Sequence, residues 1–301
     1  MPKKTSEQMT INEREIGLTS LDKLYWPEDG LTKGDALDYY RAVADVMLPY
    51  LTNRPITFRA YPNGVKGPGF WRRDLPDNAP DWLTSVTYQP ETRDERIQVP
   101  LIDDEAALVW WVDHSVIEIH QWLSLTDNLD QPDWAVFDLD PGKDVEFERL
   151  LEAAVLVRDD LAQVELQAFA KTSGASGMHV FVPLAAESSF DEVREWVHGV
   201  ALRLAQTHPK LIAAASGGTH RGNNVTIDHA QNSVARNTAA PYTLRARPGA
   251  TVSTPLSWDE VEKGKLRPDE FTLRTVPERL KKDGDPWKGA LKLRQKLPKQ
   301  N

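Results

Sequence analysis

The sequence predicts an α/β fold, a mixed central sheet flanked by helices with an N-terminal lobe packed on it. Short β-prone apolar runs alternate along the chain with stretches whose apolar residues recur at helical spacing. The runs stop at turn signals such as Pro141-Gly142 and Ser173-Gly174. No Ser/Gly linker or low-complexity tract divides the 301 residues, which suffice for one large core.

In order, Leu21 to Pro27 leads through the Asp29-Gly30 turn to Thr32-Lys33-Gly34-Asp35. Thr32 with an acid three residues on is an N-cap pattern, and Leu37, Tyr40, Val43, Ala44, Met47 and Leu51 keep one face, so a helix is expected to about Tyr50. Lys23 and Lys33 flank its entrance, where backbone N–H groups favour an anion; without context they are two surface lysines. Arg54 to Pro62 alternates as a strand, and the turn-rich Asn63 to Gly69 delivers Phe70-Trp71-Arg72-Arg73. Exposed aromatics beside arginines stack on unpaired bases, at about 1–3 kcal/mol per base, while the same pair would equally serve a core.

Ala106 to Trp111 and Val116 to Trp122 are the next expected strands; the second puts Glu118, His120 and Trp122 on one face. A lone histidine there is ordinarily a packed or surface residue. Asp133 to Gly142 is an apolar run ending in Asp138 and Asp140, cut by Pro-Gly. Residues i and i+2 of a strand share a face, roughly 6–7 Å apart at the backbone. That suits two divalent ions about 3.5–4 Å apart, as in phosphoryl transfer, although an isolated Asp-x-Asp can be a solvated turn or a helix cap. Asp144 is expected to cap a helix bearing Phe147, Leu150, Leu151, Ala154, Val155 and Leu161. Then come a strand from Leu166 to Lys171, a glycine-rich turn over residues 172–177 whose N–H groups suit phosphate, and a strand from Met178 to Leu184. A helix from Ser189 to His208, a loop through Ser216 to Gly222 and a strand from Asn223 to His229 place Asp228 as a third strand-end carboxylate.

Composition narrows the function. Lys+Arg 36 against Asp+Glu 45 gives a net charge of -9, which excludes a protein that coats nucleic acid indiscriminately. Two basic strips stand out, Arg54 to Arg73 with no acid, and Asn232 to Trp258 with Arg236, Arg245 and Arg247, which fits nucleic acid held along a track. With no cysteine and no close zinc spacing among the seven histidines, any metal is expected to be hard and carboxylate-held, magnesium or manganese. No apolar leader or bilayer-length run is present, so a cytoplasmic protein is expected, without membrane contact.

Five ordered motifs carry a resemblance. They are Asp138-Leu139-Asp140-Pro141-Gly142, Lys171 to His179, Ile227 to Asn232, Ala240 to Gly249, and Ser253-Thr254-Pro255-Leu256. Together they resemble the polymerase domain of bacterial ATP-dependent DNA ligase D, in the archaeo-eukaryotic primase superfamily, over about Ile16 to Leu280. The resemblance implies a primase-like fold in one domain, with an N-terminal lobe of about residues 12–105 and a catalytic lobe of about 106–280. The basic tail, 281–301, has the charge to touch DNA or a partner, and by its position reads first as a frayed, solvated end. It implies metal-binding catalytic aspartates at Asp138, Asp140 and Asp228, and nucleotide contacts from His120, Ser173, Gln231 and Arg245. Lys23 and Lys33 match lysines that grip a downstream 5′-phosphate, Phe70-Trp71 an aromatic pair that stacks on the template, and Arg221 a basic residue near the site. Ser176 stands where relatives commonly carry a lysine that meets the triphosphate.

The implied reaction is template-directed addition of nucleotides, preferably ribonucleotides, with manganese or magnesium, at gaps and breaks during end joining. Nucleoside triphosphates and 5′-phosphorylated gapped or broken DNA are the implied partners, with a separate ATP-dependent DNA ligase and an end-binding protein as candidate associates at a bacterial nucleoid. The chain carries no ligase or nuclease motifs, so it resembles stand-alone members. Two other readings remain, an aspartyl-phosphate hydrolase using the first Asp of Asp-x-Asp, and a non-catalytic module that binds 5′-phosphate ends.

Overall fold

A computed structural model of the chain describes residues 6–90, 94–214 and 222–298. Two sheets position the site. The larger has six strands in the spatial order Ile212–Ala214, Val225–Asp228, Trp134–Pro141, Met178–Pro183, Phe169–Thr172, Pro255–Leu256. Ile212–Ala214 runs parallel to its neighbour and every other pairing is antiparallel, so the sheet is mixed, as expected. The smaller sheet has four antiparallel strands in the order Asn237–Ala239, Val116–Trp122, Ile56–Ala60, Phe70–Arg72. It takes strands from both sides of the lobe boundary expected near residue 105.

The helices Phe147–Ala162 and Phe190–Thr207 pack on the larger sheet and on each other. Their apolar faces meet the odd-numbered residues of the Trp134–Pro141 strand, with Phe137 edge-on to Trp196 at 5.6 Å. The period of two then turns Asp138 and Asp140 to the opposite face. Burial of Phe137 and Leu139 on the helix side therefore fixes which way the carboxylates point.

The helix Lys33–Leu51 begins where its sequence demands. Thr32 and Asp35 form a reciprocal capping box, worth about 1 kcal/mol. Three expectations are corrected. Ala106 to Trp111 is not a strand but lies in the helix Glu105–Asp113, capped by Asp104; the segment is apolar on all sides and buried, so it has no period that separates helix from strand. The helix after the Trp134–Pro141 strand starts at Phe147 with Glu146 at its N-cap and no side-chain cap, so Asp144 does not cap it.

The C-terminal stretch is not frayed either. Trp287 is buried among Tyr50, Trp134, Phe169 and Phe181, and its Nε1 donates to the Ala170 carbonyl at 2.9 Å. Asp285 accepts from the hydroxyls of Tyr50 and Tyr242, both at 2.6 Å. Burial of one indole contributes several times what the stretch of exposed lysines around it could.

Candidate active site

Asp138 and Asp228 are paired residues of adjacent antiparallel strands, and Asp140 lies two residues beyond Asp138 on the same face. Burial, and then the neighbouring Asp228 charge, push the Asp138 carboxyl up to about 7. Lys171, Arg245 and a hydrogen bond from Gln231 pull the other way. Pro141-Gly142 lets the chains come together just beyond: a Cβ on Gly142 would lie 2.1 Å from the Gly222 carbonyl oxygen. Asn232 acts as a surrogate peptide for the Trp134–Pro141 strand. Its side-chain amide accepts from Val136 N–H at 2.9 Å and donates to Val136 C=O at 2.8 Å, which ties the segment after Asp228 to the strand.

Asp138 opens on a cleft of about 890 Å³ between the two sheets. Arg59, Arg73, Arg194, Arg236 and Arg245 line it, as do Trp71, Glu118, His120, His179 and Gln231. Glu118 is its buried hub: Oε2 lies 2.9 Å from His120 Nε2 and 3.3 Å from Arg245 Nε, and Oε1 accepts from Ala246 N–H at 3.1 Å. Burial alone would raise the Glu118 pKa, but His120 and Arg245 outweigh it and hold the carboxyl down at about 2. Burial lowers the pKa of His120, against the pull of the Glu118 carboxylate.

The residue 172–177 turn is internally braced. Its amides at Ala175 and Gly177 donate to Ser173 Oγ, at 3.2 and 3.1 Å, so Ser173 closes the turn on itself. Gly174 has φ +70°, and a Cβ there would meet Arg245 Cγ at 2.6 Å, so the glycine is what lets the guanidinium pass to the Ser173 carbonyl, 2.5 Å away. Ser176 is exposed. Lys171 is fully buried beneath: its Nζ donates to Ser253 Oγ at 2.5 Å and meets His179 Nδ1 at 2.8 Å. His179 Nε2 in turn lies 3.3 Å from Asp138.

Lys23 and Lys33 are close neighbours but not equivalent. Lys23 is exposed, with its ammonium on the Pro62 carbonyl. Lys33 is buried and turned inward, 2.6 Å from Asp113 and 2.6 Å from the Thr19 carbonyl, so its charge is already paired. Phe70 and Trp71 are 43% and 45% exposed, which excludes the core reading; Arg72 lies over Phe70, Arg59 over Trp71, and Trp71 stands edge-on to His120 at 4.8 Å. Arg221 and most of its loop lie outside the described residues. The structure thus gathers Asp138, His120, Gln231, Arg245 and Trp71 around one cleft and sets Lys23 apart from it.

Residues 32–287 match the family model described as LigD, primase-polymerase domain. The chain belongs to the LigD primase-polymerase domain family. It is 36% identical over 284 residues to the multifunctional non-homologous end joining DNA repair protein LigD of Mycobacterium tuberculosis H37Rv, covering 92% of this chain and 37% of the relative. Against the bifunctional LigD of Bacillus subtilis 168 it is 30% identical over 274 residues, covering 91% of this chain and 44% of the relative. The chain therefore spans less than half the length of each of these relatives. Its fold superposes on the polymerase domain from Mycobacterium tuberculosis ligase D in complex with DNA with a TM-score of 0.86 at 34% identity, covering 93% of this chain and 99% of that one.

This LigD family is one of nucleotidyltransferases and implies a divalent metal. Among the described residues no three acidic or histidine side chains are drawn together as a finished cage. The donor set nevertheless fits a hard cation. Two half-buried carboxylates stand side by side, burial and then the Asp228 charge raise Asp138, and a third stands on the same face. Glu118, His179 and Asn232 were the residues the sequence left unassigned. Glu118 and His179 are marked in advance only as polar residues inside apolar strand runs, and Asn232, in the turn after Val225–Asp228, carries no such signal.

Proposed function

We propose that the chain is a template-directed, DNA-dependent nucleotidyltransferase that extends primer 3′-hydroxyls at gaps and breaks in end-joining repair. The observation that supports this above the others is a set of three aspartates on one sheet face beside a cleft lined by arginines. Carboxylates for a divalent ion and guanidiniums for phosphates suit a nucleoside triphosphate. The solved relative, a ligase D polymerase domain in complex with DNA, adds weight to DNA as the partner.

In this reading Asp138, Asp140 and Asp228 hold the ion, manganese in preference to magnesium. When bound, it acidifies the primer hydroxyl and offsets triphosphate charge. Gln231 orients Asp138 through their hydrogen bond, and His179, backed by Lys171, braces the same carboxylate. Arg245, His120, Ser173 and Ser176 contact the nucleotide. Phe70 and Trp71 stack on the template, Lys23 meets a 5′-phosphate, and Arg221 joins the DNA contacts. A separate ligase and an end-binding protein at the nucleoid are the associates this reading implies. Among the described residues no helix is long and apolar enough to cross a membrane.

The test is extension across a gapped, 5′-phosphorylated template with ribo- and deoxyribonucleoside triphosphates, with manganese, magnesium or chelator. Metal-dependent extension, better with ribonucleotides, is expected. Binding without extension would favour the end-binding module, and phosphate release from a small phosphomonoester the hydrolase.

A further inference from the structure

We infer that Glu118 is the positioning residue of the cleft, holding His120 in its Nε2-protonated tautomer and pinning Arg245, so that a nucleotide meets a hydrogen-bond acceptor beside a fixed guanidinium. The inference rests on the nucleotide-binding reading of the cleft. Its geometry is local. Glu118 is 3% exposed and sits in the Val116–Trp122 strand two residues before His120. Its two oxygens reach His120 Nε2 at 2.9 Å, Arg245 Nε at 3.3 Å, Ala246 N–H at 3.1 Å and Arg59 at 4.0 Å.

A carboxylate surrounded by donors and guanidiniums is ionised, and an ionised carboxylate only accepts. His120 Nε2 must then carry the proton, because the other neutral tautomer would set lone pair against lone pair. The lone pair is left on Nδ1, and no hydrogen bond among the described residues uses it. The ring lines the cleft, and Trp71, edge-on at 4.8 Å, stands against one side of it. Nδ1 is thus an acceptor for a sugar hydroxyl of the bound nucleotide. Because Glu118 also takes the amide of Ala246, it anchors the backbone next to Arg245 as well as its side chain. One carboxylate sets both contacts.

Two measurements test this. Nitrogen-15 NMR of the imidazoles in the unaltered protein should show His120 protonated at Nε2 near neutral pH; protonation at Nδ1, or an imidazolium, would overturn the assignment without any variant having to fold. In primer extension, Glu118→Gln should raise KM for the nucleoside triphosphate about ten-fold while kcat stays within about three-fold, since a charge-assisted contact is lost remote from the reacting atoms. The variant should also show mixed His120 tautomers, with a lowered melting temperature but still one cooperative transition above the assay temperature. An unchanged KM, or a fall in kcat alone, would sink the proposal. Failure of the unaltered protein to extend any primer, with the Nε2 tautomer present, would instead count against the polymerase reading.

Discussion

Asp138 and Asp228 face each other across the antiparallel pairing of their strands, two half-buried acids side by side. Asp228→Asn removes the repulsion and also removes a ligand. Without added metal, melting should rise by about 2 °C, equivalent to about 1 kcal/mol, while extension falls at least about 100-fold and the thermal shift produced by manganese disappears. A lower melting temperature in chelator would show that the pair is not repulsive.

The two lysines at the helix entrance should separate cleanly. Lys33→Ala leaves Asp113 buried without its cation and should cost about 3 kcal/mol in denaturant unfolding. Lys23→Ala, on the surface, should change stability by less than about 0.5 kcal/mol yet abolish any preference for a 5′-phosphorylated gap in a binding titration. Equal loss of that preference in a folded Lys33 variant would show that Lys33 swings outward on binding DNA.

Ser176 sits exposed on the glycine-rich turn, and Lys171 is sealed below it, which removes one candidate to replace the missing lysine. Ser176→Lys should lower KM for the triphosphate about ten-fold at low salt with little change in the maximal rate, and the gain should fade as salt rises. An unchanged KM would mean that Arg245 already supplies the charge.

Away from the cleft, Glu260 is paired bidentately with Arg279, one contact at 2.7 Å, and caps a helix through Ser257. Burial opposes ionisation, but Arg279 and the Ser257 contacts win and bring the carboxyl down to about 2. Its contribution is therefore complete above the unfolded carboxylate range near pH 4.5 and is lost as pH falls towards 2. Glu260→Gln should cost about 1 kcal/mol at pH 7, after allowance for solvent screening, and the gap to the parent should close by pH 2 to 3 in acid unfolding curves.

Removing the chain after Gly284 should be worse than removing a frayed end. Loss of Trp287 and Asp285 opens a cavity beside Trp134 and strands two buried tyrosine hydroxyls, for an expected loss of about 4 kcal/mol or more by calorimetry. Unchanged melting would contradict this packing.

What the sequence made legible was local. Thr32 and Asp35 announce the first long helix because a capping box is written within four residues, and Asp138 with Asp140 declare a shared face because strand alternation is strict. Trp110 and Trp111 misled because an all-apolar stretch has no period. The partnerships that decide charge are between residues far apart in the chain: Lys33 with Asp113, Asp138 with Asp228, Glu118 with Arg245. No spacing rule joins them, and so a lysine expected at the surface proved to be buried.

The Asn232 amide on Val136 has one more consequence, for how freely this fold can be edited. Residues 215–221 are bracketed by anchors that do not depend on them, the parallel pairing of Ala213 with Thr226 on one side and the Asn232 clasp on the other. Both anchors hold residues outside that segment, so insertions or deletions within 215–221 leave the contacts that space Asp138 and Asp228 in place. Asn232→Asp, a change of one atom, would instead set a carboxylate oxygen against the Val136 carbonyl and unfasten the clasp from within.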